Sequence, residues 1–513
     1  MNRQIFKIDY FEIFMKITIL FGGKAGQGPN LLSNFLGNAL IKNGYYVFIY
    51  RDYQSLIRGG HNFNVLTFSD KPISSNEKRL DLIIALDKKT IEIHQKELKK
   101  DGILLFDENK GNMYFAGRIF KMFGIDFEYL QDEIKKLSDR IPENLEEAKS
   151  GYYDEKRVVY KLKQNKKRLI FKTGSKGISD GAIKSGLDVY YAYPMTPATS
   201  VIGELAENQI ENNHLVLELE SEIAVINAGI GSSITGAKTM IGTSGGGFDL
   251  MTESLSLSGM ANVPLVIYLA SRPGPSTGVA TYTSQGDLDL ALHAGHGEFN
   301  RLVLAPGNLN ESEELISQSF YFSQKFGVPV IILSDKHLAE SFYTSDEMPV
   351  ITKSKKSTSL LRYNSYEKDK FGSATEDENI INMNVEKRLK QKKEIEEETK
   401  KFETFKKYGK AKNKKNIIVG WGSTKGVIID AISDLDINFL QILYLEPFPK
   451  EIKKEIEGKN IILIENNATA QLGRLIAEKT GIIIPDKNKI LRYDGRPFFC
   501  DELKEEIKKR IKK

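Results

Sequence analysis

One cysteine, Cys500, occurs in 513 residues. That scarcity excludes an internal disulfide, and it excludes an iron–sulfur cluster or a cysteine zinc site built by this chain alone. Six histidines are scattered without metal-ligand spacing, so no metal site is expected. No run of about 18 or more consecutive apolar residues occurs, which argues against a membrane span. A charge excess is missing as well: 73 Lys and Arg face 68 Asp and Glu, a net of +5, too even a balance to call for nucleic acid. The apolar start MNRQIFKIDYFEIFM carries acidic residues within its apolar part and no small-residue cleavage site, against a signal peptide. Residues 1–14 read as an extension, with Met15 as an alternative start. The expectation is a reduced, cytoplasmic protein.

What is present is an alternation of short β-rich runs with longer helical segments. ITILFGG, YYVFIYR, LDLIIAL and GILLFD precede residue 110; a second series runs from RLIFKTG to VPVIILSD; NIIVGWGS, FLQILYLEPFP, NIILIENN and KILRYDG close the chain. The pattern predicts an α/β protein of three domains with mainly parallel, doubly wound sheets, over residues 1–165, 166–350 and 416–513. Residues 351–415, with VEKRLKQKKEIEEETKKFETFKKYGKAKNKK, are charged enough to read as a linker, either a solvated helix or a flexible connector.

Four stretches carry chemistry. FGGKAGQGPN places Gly23, Gly26, Gln27 and Gly28 between a strand and a helix, where backbone amides and a helix N-terminus can approach an anion. The spacing is GxxGxG rather than the dinucleotide GxGxxG, and a tight turn explains it equally well. Nearby, SLIRGGHNFNV sets Arg58 beside Gly59 and Gly60, an arginine on a permissive backbone that suits a phosphate or is simply solvated. In YYAYPMTPATS, two prolines hold Thr196 at a strand's carboxyl end, where open α/β sheets bind ligands; the alternative is that Thr196 simply belongs to the turn, and Thr199 or Ser200 is expected as a helix N-cap.

The third stretch is ELESEIAVINAGIGSSITG, with Glu222 in a helix's first turn. It either caps the helix dipole or projects into a close-packed crevice to hold a heteroaromatic nitrogen. TSGGGFDLM then adds a glycine-rich strand exit suited to a ligand lying on bare backbone. Last, VPLVIYLASRPGPSTGVATYTSQGDL ends a buried strand on a lone cation, Arg272, among small residues. Its guanidinium fork suits bidentate capture of a carboxylate; the alternative is a salt bridge to Glu253 or Asp287.

Together YPMTP, ESEIA, TSGGGFDLM, RPGPSTGVATYTSQGDL and YDGRPF resemble the alpha subunit of 2-oxoacid:ferredoxin oxidoreductases. GGKAGQG, RGG and ENLEEAKSGYY resemble the family's gamma domain, fused in front. The resemblance implies a gamma-like domain, a thiamine-pyrimidine-type domain and a transketolase C-terminal-like domain. It implies oxidative decarboxylation of a 2-oxoacid to acyl-coenzyme A and carbon dioxide, with thiamine diphosphate as cofactor, coenzyme A as substrate and electrons passed to ferredoxin. Glu222 is then the carboxylate on the aminopyrimidine, Thr196 the hydroxyl facing substrate or cofactor, and Arg272 the clamp on the substrate carboxylate. Gly23, Gly26, Gln27, Gly28, Arg58, Gly59 and Gly60 are candidates for coenzyme A. Ala280 stands where many relatives have proline, and GKAGQG replaces the commoner GxGGQG. No GDG motif followed by Asn is present for a diphosphate-bound magnesium. Magnesium and the iron–sulfur cluster are therefore expected in a separate beta subunit, in a heterodimer or a dimer of heterodimers, and the chain alone is expected to be inert. Competing expectations are a non-redox thiamine-dependent decarboxylase subunit and a non-catalytic coenzyme A or nucleotide-binding regulator.

Overall fold

The computed structural model describes residues 15–54, 60–162, 167–357, 363–412 and 415–511. Two compact units divide the chain: Met1–Ile49 with Leu56–Phe171, and Tyr50–Ser55 with Lys172–Lys513. Arg58 and Gly59, and the expected boundary at residue 165, lie outside the described residues.

In the first unit, strands run in the order Leu98–Leu105, Leu80–Ala85, Lys16–Lys24, His61–Ser69 and then Tyr46–Asp52, of which Tyr50, Arg51 and Asp52 belong to the second unit. Lys16–Lys24 is parallel to Leu80–Ala85 but antiparallel to His61–Ser69, with Lys24 opposite His61. Two helices, Asn112–Met122 and Ile141–Asp154, pack backbone to backbone. A Cβ on Gly117 would fall onto the Ala148 carbonyl oxygen, and one on Gly151 onto that of Tyr114. The glycine of the SGYY stretch therefore serves close helix packing.

The second unit contains a sheet in the order Tyr444–Glu446, Leu302–Leu304, Pro329–Asp335, Leu265–Ser271, Thr239–Thr243, Val189–Ala192, Leu215–Glu218. Every pairing among the six strands between residues 189 and 335 is parallel; Tyr444–Glu446 joins antiparallel. Central strands such as Leu265–Ser271 are buried at every position, as a sheet covered on both faces requires. A further sheet has the order Phe405–Tyr408, Asn438–Ile442, Asn416–Trp421, Asn460–Glu465, Lys489–Leu491. One apolar core joins the two sheets, from Ile267, Leu269 and Ile331 to Val419, Trp421 and Leu463.

The segment between residues 351 and 415 holds more structure than a bare connector. Glu378–Thr399 is a helix capped by Asp377, with Ile395, Glu398 and Thr399 buried. Phe405–Tyr408 then pairs antiparallel with Asn438–Ile442 as an edge strand. Its lysines suit an edge, where charge discourages pairing with another chain.

Candidate functional site

Parallel strands deliver whatever follows them to one edge of their sheet. Val189–Ala192 connects outward to Leu215–Glu218, and the chain then crosses back to Thr239–Thr243 on the other side. Its end is thus the topological switch point, the place where open α/β sheets hold ligands. Thr196, Glu222, the glycines Gly245–Gly247 that open the helix Gly245–Ala261, and Arg272 each follow a strand at this edge.

Glu222 opens the helix Glu222–Ile234, yet it is not the cap: Ser221 is, its hydroxyl accepting from Ala224 N at 3.3 Å. That frees the Glu222 side chain, which is buried, and its Oε1 has no hydrogen-bond partner. An unpaired buried acceptor costs about 1–3 kcal/mol, more when charged. The oxygen faces these glycines so closely that a Cβ on Gly247 would sit 2.7 Å from it. A buried carboxylate oxygen without a partner, beside a glycine and the Thr243 hydroxyl, is suited to a planar nitrogen ligand that approaches along the side-chain-free backbone.

Arg272 donates from Nη1 to the Thr196 carbonyl oxygen at 2.9 Å. Neither Glu253 nor Asp287 lies within ion-pair distance, and Nε is buried without a partner. Burial pulls the guanidinium below its usual value, with Asp287 opposing. Arg272 lines a cavity of about 590 Å³ together with Gly245, Gly246, Asp249, Asp287 and Tyr493. Thr196 and Glu222 are not among its lining residues; Thr196 touches it through Arg272, and Glu222 lies behind the glycines. Asp287 is pushed up by burial, and Asp249 adds to the rise. A Cβ on Gly245 would fall 2.6 Å from Asp287 Oδ2. The N-cap expectation for Thr199 or Ser200 is not met: Ala198 occupies the N-cap, and Ser200 Oγ instead meets Ser175 Oγ at 2.6 Å and the Pro197 carbonyl.

The loop after Arg272 is held by residues that the sequence patterns do not single out. Gln285 donates to the Trp421 carbonyl at 2.9 Å and accepts from Asn466 N at 2.9 Å. Gln471 Oε1 accepts from Leu288 N at 2.9 Å, and its Nε2 donates to the Gly286 carbonyl at 2.7 Å. The NNATAQ stretch had a legible signal only in its polarity at the end of a buried strand.

At the glycine turn of the first unit, Gln27 Oε1 accepts from Lys24 N at 2.6 Å and its Nε2 donates to the Leu86 carbonyl at 3.1 Å. Gln27 therefore closes the turn. Gly26 and Gly28 take positive φ, and Gly28 abuts Asn112. Pro29 begins the helix, which no side chain caps. Gly60 leads into His61, whose Nε2 meets His94 Nε2 at 2.8 Å, while His94 Nδ1 meets Glu97 at 2.7 Å. Burial lowers His61 to about 4. Among the described residues there is no cluster of metal-ligating side chains, and no helix is long and apolar enough to cross a membrane.

Residues 180–414 match a family model described as pyruvate flavodoxin/ferredoxin oxidoreductase, thiamine diP-bdg, and residues 18–145 match one described as pyruvate ferredoxin/flavodoxin oxidoreductase. The chain is similar to the 2-oxoacid:ferredoxin oxidoreductase subunit alpha of a Sulfolobus species, 30% identical over 97% of this chain and 97% of that protein. It is likewise 30% identical to 2-oxoacid:ferredoxin oxidoreductase 1, subunit alpha, of Sulfurisphaera tokodaii, over 97% of this chain and 98% of that one. Its fold is that of a 2-oxoglutarate:ferredoxin oxidoreductase from Magnetococcus marinus, with a TM-score of 0.86 and 23% identity over 97% of this chain and 100% of that one. With relatives 30% identical over 97% of its length, the chain belongs to the 2-oxoacid:ferredoxin oxidoreductase alpha-subunit family.

Proposed function

We propose that this chain holds the pyrimidine end of thiamine diphosphate and the carboxylate of a 2-oxoacid, and that a separate beta subunit completes the site. The observation that carries the reading is the buried, unpartnered Glu222 Oε1 against Gly247, at the same sheet edge as Arg272. Thiamine diphosphate, when bound, supplies the electron sink for decarboxylation. Glu222 would hold the cofactor's aminopyrimidine ring through a hydrogen bond at its free Oε1. Arg272 takes the substrate carboxylate on its fork, steadied by the Thr196 carbonyl, and the Thr196 hydroxyl faces substrate or cofactor. The overall reaction is oxidation of a 2-oxoacid to acyl-coenzyme A and carbon dioxide, with electrons leaving to ferredoxin.

Partner completion is supported by apolar side chains left in solvent around this edge: Tyr193, Leu217, Ile223, Leu250 and Val279. Exposed apolar patches beside a site mark protein contacts. We assign the diphosphate-bound magnesium and the iron–sulfur cluster to that partner and place the complex in the cytoplasm. Coenzyme A is assigned to the glycine turn of Gly23, Gly26 and Gly28, with Arg58, Gly59 and Gly60; Gln27 acts there as the turn's brace. In this reading residues 1–165 are the gamma-like part, 166–350 the pyrimidine-type part, 351–415 the connector and 416–513 the transketolase C-terminal-like part.

The test is viologen reduction by the anaerobically purified complex over a panel of 2-oxoacids, with and without coenzyme A. One acid should drive reduction that requires coenzyme A, and Glu222→Gln should lower kcat by about 10²-fold or more. Decarboxylation without dye reduction would favour the non-redox reading, and no reaction by a complex with intact clusters would favour a binding role.

A further inference from the structure

The Arg272 loop returns to the body of the protein at Tyr282, and a turn from the far end of the chain grips it there. The guanidinium carbon of Arg496 lies 3.8 Å from the Tyr282 ring centroid. One residue earlier, Gly495, at φ +77°, gives its carbonyl to Thr283 N at 3.1 Å. A Cβ on Gly495 would be 3.2 Å from Tyr282 Cβ and 3.8 Å from Pro273 Cγ. The turn thus touches both feet of the loop, one of them adjacent to Arg272.

Arg496 is itself fixed. Its Nε pairs with Asp52 Oδ2 at 2.8 Å, and the Asp52 side chain is 2% exposed. The same carboxylate oxygen accepts from Tyr50 OH at 3.0 Å. Asn466 Nδ2 holds the Arg496 carbonyl at 2.9 Å, and Asp494 accepts from Arg496 N at 2.9 Å. A planar cation stacked on an aromatic face and anchored by a buried carboxylate has little freedom left.

We propose that Arg496 is a positioning residue for substrate binding: locked by Asp52, it holds Tyr282 and so fixes the aim of Arg272. This rests on the reading of Arg272 as the carboxylate clamp. Arg496 touches no reacting atom in this role, so its loss weakens 2-oxoacid binding while leaving the pyrimidine side intact.

The experiment compares Arg496→Leu, Asp52→Asn and the double variant in the purified complex, measuring KM and kcat for the 2-oxoacid and the affinity for thiamine diphosphate. Arg496→Leu should raise KM about tenfold with kcat within about threefold, a range set by the strength of a partly buried cation–π contact. Thiamine diphosphate affinity should stay within about twofold, the change expected when distant sites remain uncoupled. Asp52→Asn should move KM in the same direction by less, and the double variant should match Arg496→Leu alone. An unchanged KM in Arg496→Leu, or a parallel fall in thiamine diphosphate affinity, overturns the proposal. If Arg496→Leu does not assemble, the near-isosteric Asp52→Asn decides alone, and an unchanged KM overturns it. A wild-type complex that turns over no 2-oxoacid overturns the functional reading and this inference with it, whereas an active wild type with indifferent variants overturns this inference only.

Discussion

Arg272 Nη1 donates to the backbone carbonyl of Thr196 at 2.9 Å, so the residue after one strand is fastened to the turn after another. The bond spends one arm of the fork and leaves Nε without a partner. A lysine there has one charge but no second arm, and cannot both hold Thr196 and present a planar pair to a carboxylate. Arg272→Lys is expected to raise KM for the 2-oxoacid about tenfold or more, the scale of one charged hydrogen bond. Steady-state kinetics over matched thiamine diphosphate concentrations checks it.

Asp287 shares the cavity with Arg272 and Asp249, and burial first, then Asp249, raises its carboxyl above the usual range. At low pH the group is neutral. As pH climbs through the raised value, a negative charge appears beside Arg272 and competes with the substrate carboxylate. KM should therefore rise with pH over that window in the wild type, and Asp287→Asn should flatten the rise. A pH series of KM, with kcat recorded alongside, reads this directly.

Gly278 lies at φ +54°, and a Cβ there would run into the Pro273 carbonyl oxygen, whose hydrogen bond from Val279 N closes the loop. An L side chain in that conformation costs about 1–2 kcal/mol before any clash. Gly278→Ala is expected to lower the melting temperature and raise KM together, while a Gly458→Ala control, also at positive φ but with open space around its Cβ, should leave the 2-oxoacid KM unchanged. Calorimetry and kinetics on the two variants separate the effects.

Glu311 and Lys425 form a buried pair at 2.7 Å between the two sheets of the second unit, and Glu311 Oε2 also accepts from Gly307 N and Gln441. Burial alone would raise the Glu311 carboxyl, but Lys425 and Lys406 hold it below its ordinary value. A depressed carboxyl contributes stability above the unfolded value and loses it as pH falls through the folded one. Removing Glu311 strands the buried Lys425 charge, whereas Lys406 at 3.4 Å would still face Glu311 if Lys425 were lost, so Glu311→Leu should cost about 3–5 kcal/mol and Lys425→Met less. Glu311→Leu with Lys425→Met should recover part of that loss. Denaturant melts of the single and double variants between neutral and acid pH test the sign and the coupling.

The sequence alone declares the α/β class and the residues that follow each strand of the parallel sheet. The physical reason is local: buried parallel strands need continuous apolar runs, and their carboxyl ends must break into small, stiff turns, so YPMTP, ESE, SGGG and SRPGP announce themselves. What those residues do there depended on partners far away in sequence. Glu222 is uncommitted because Ser221 caps the helix, whereas Gln27 is committed to Leu86, 59 positions on. Phe405–Tyr408 is too short and too charged to show as a strand, and becomes one by pairing with Asn438–Ile442. Arg496 and Tyr282, Gln285 and Asn466 carry no periodic signal at all; only the folded chain brings them together, because a side-chain contact is fixed by packing across layers rather than by spacing along the chain.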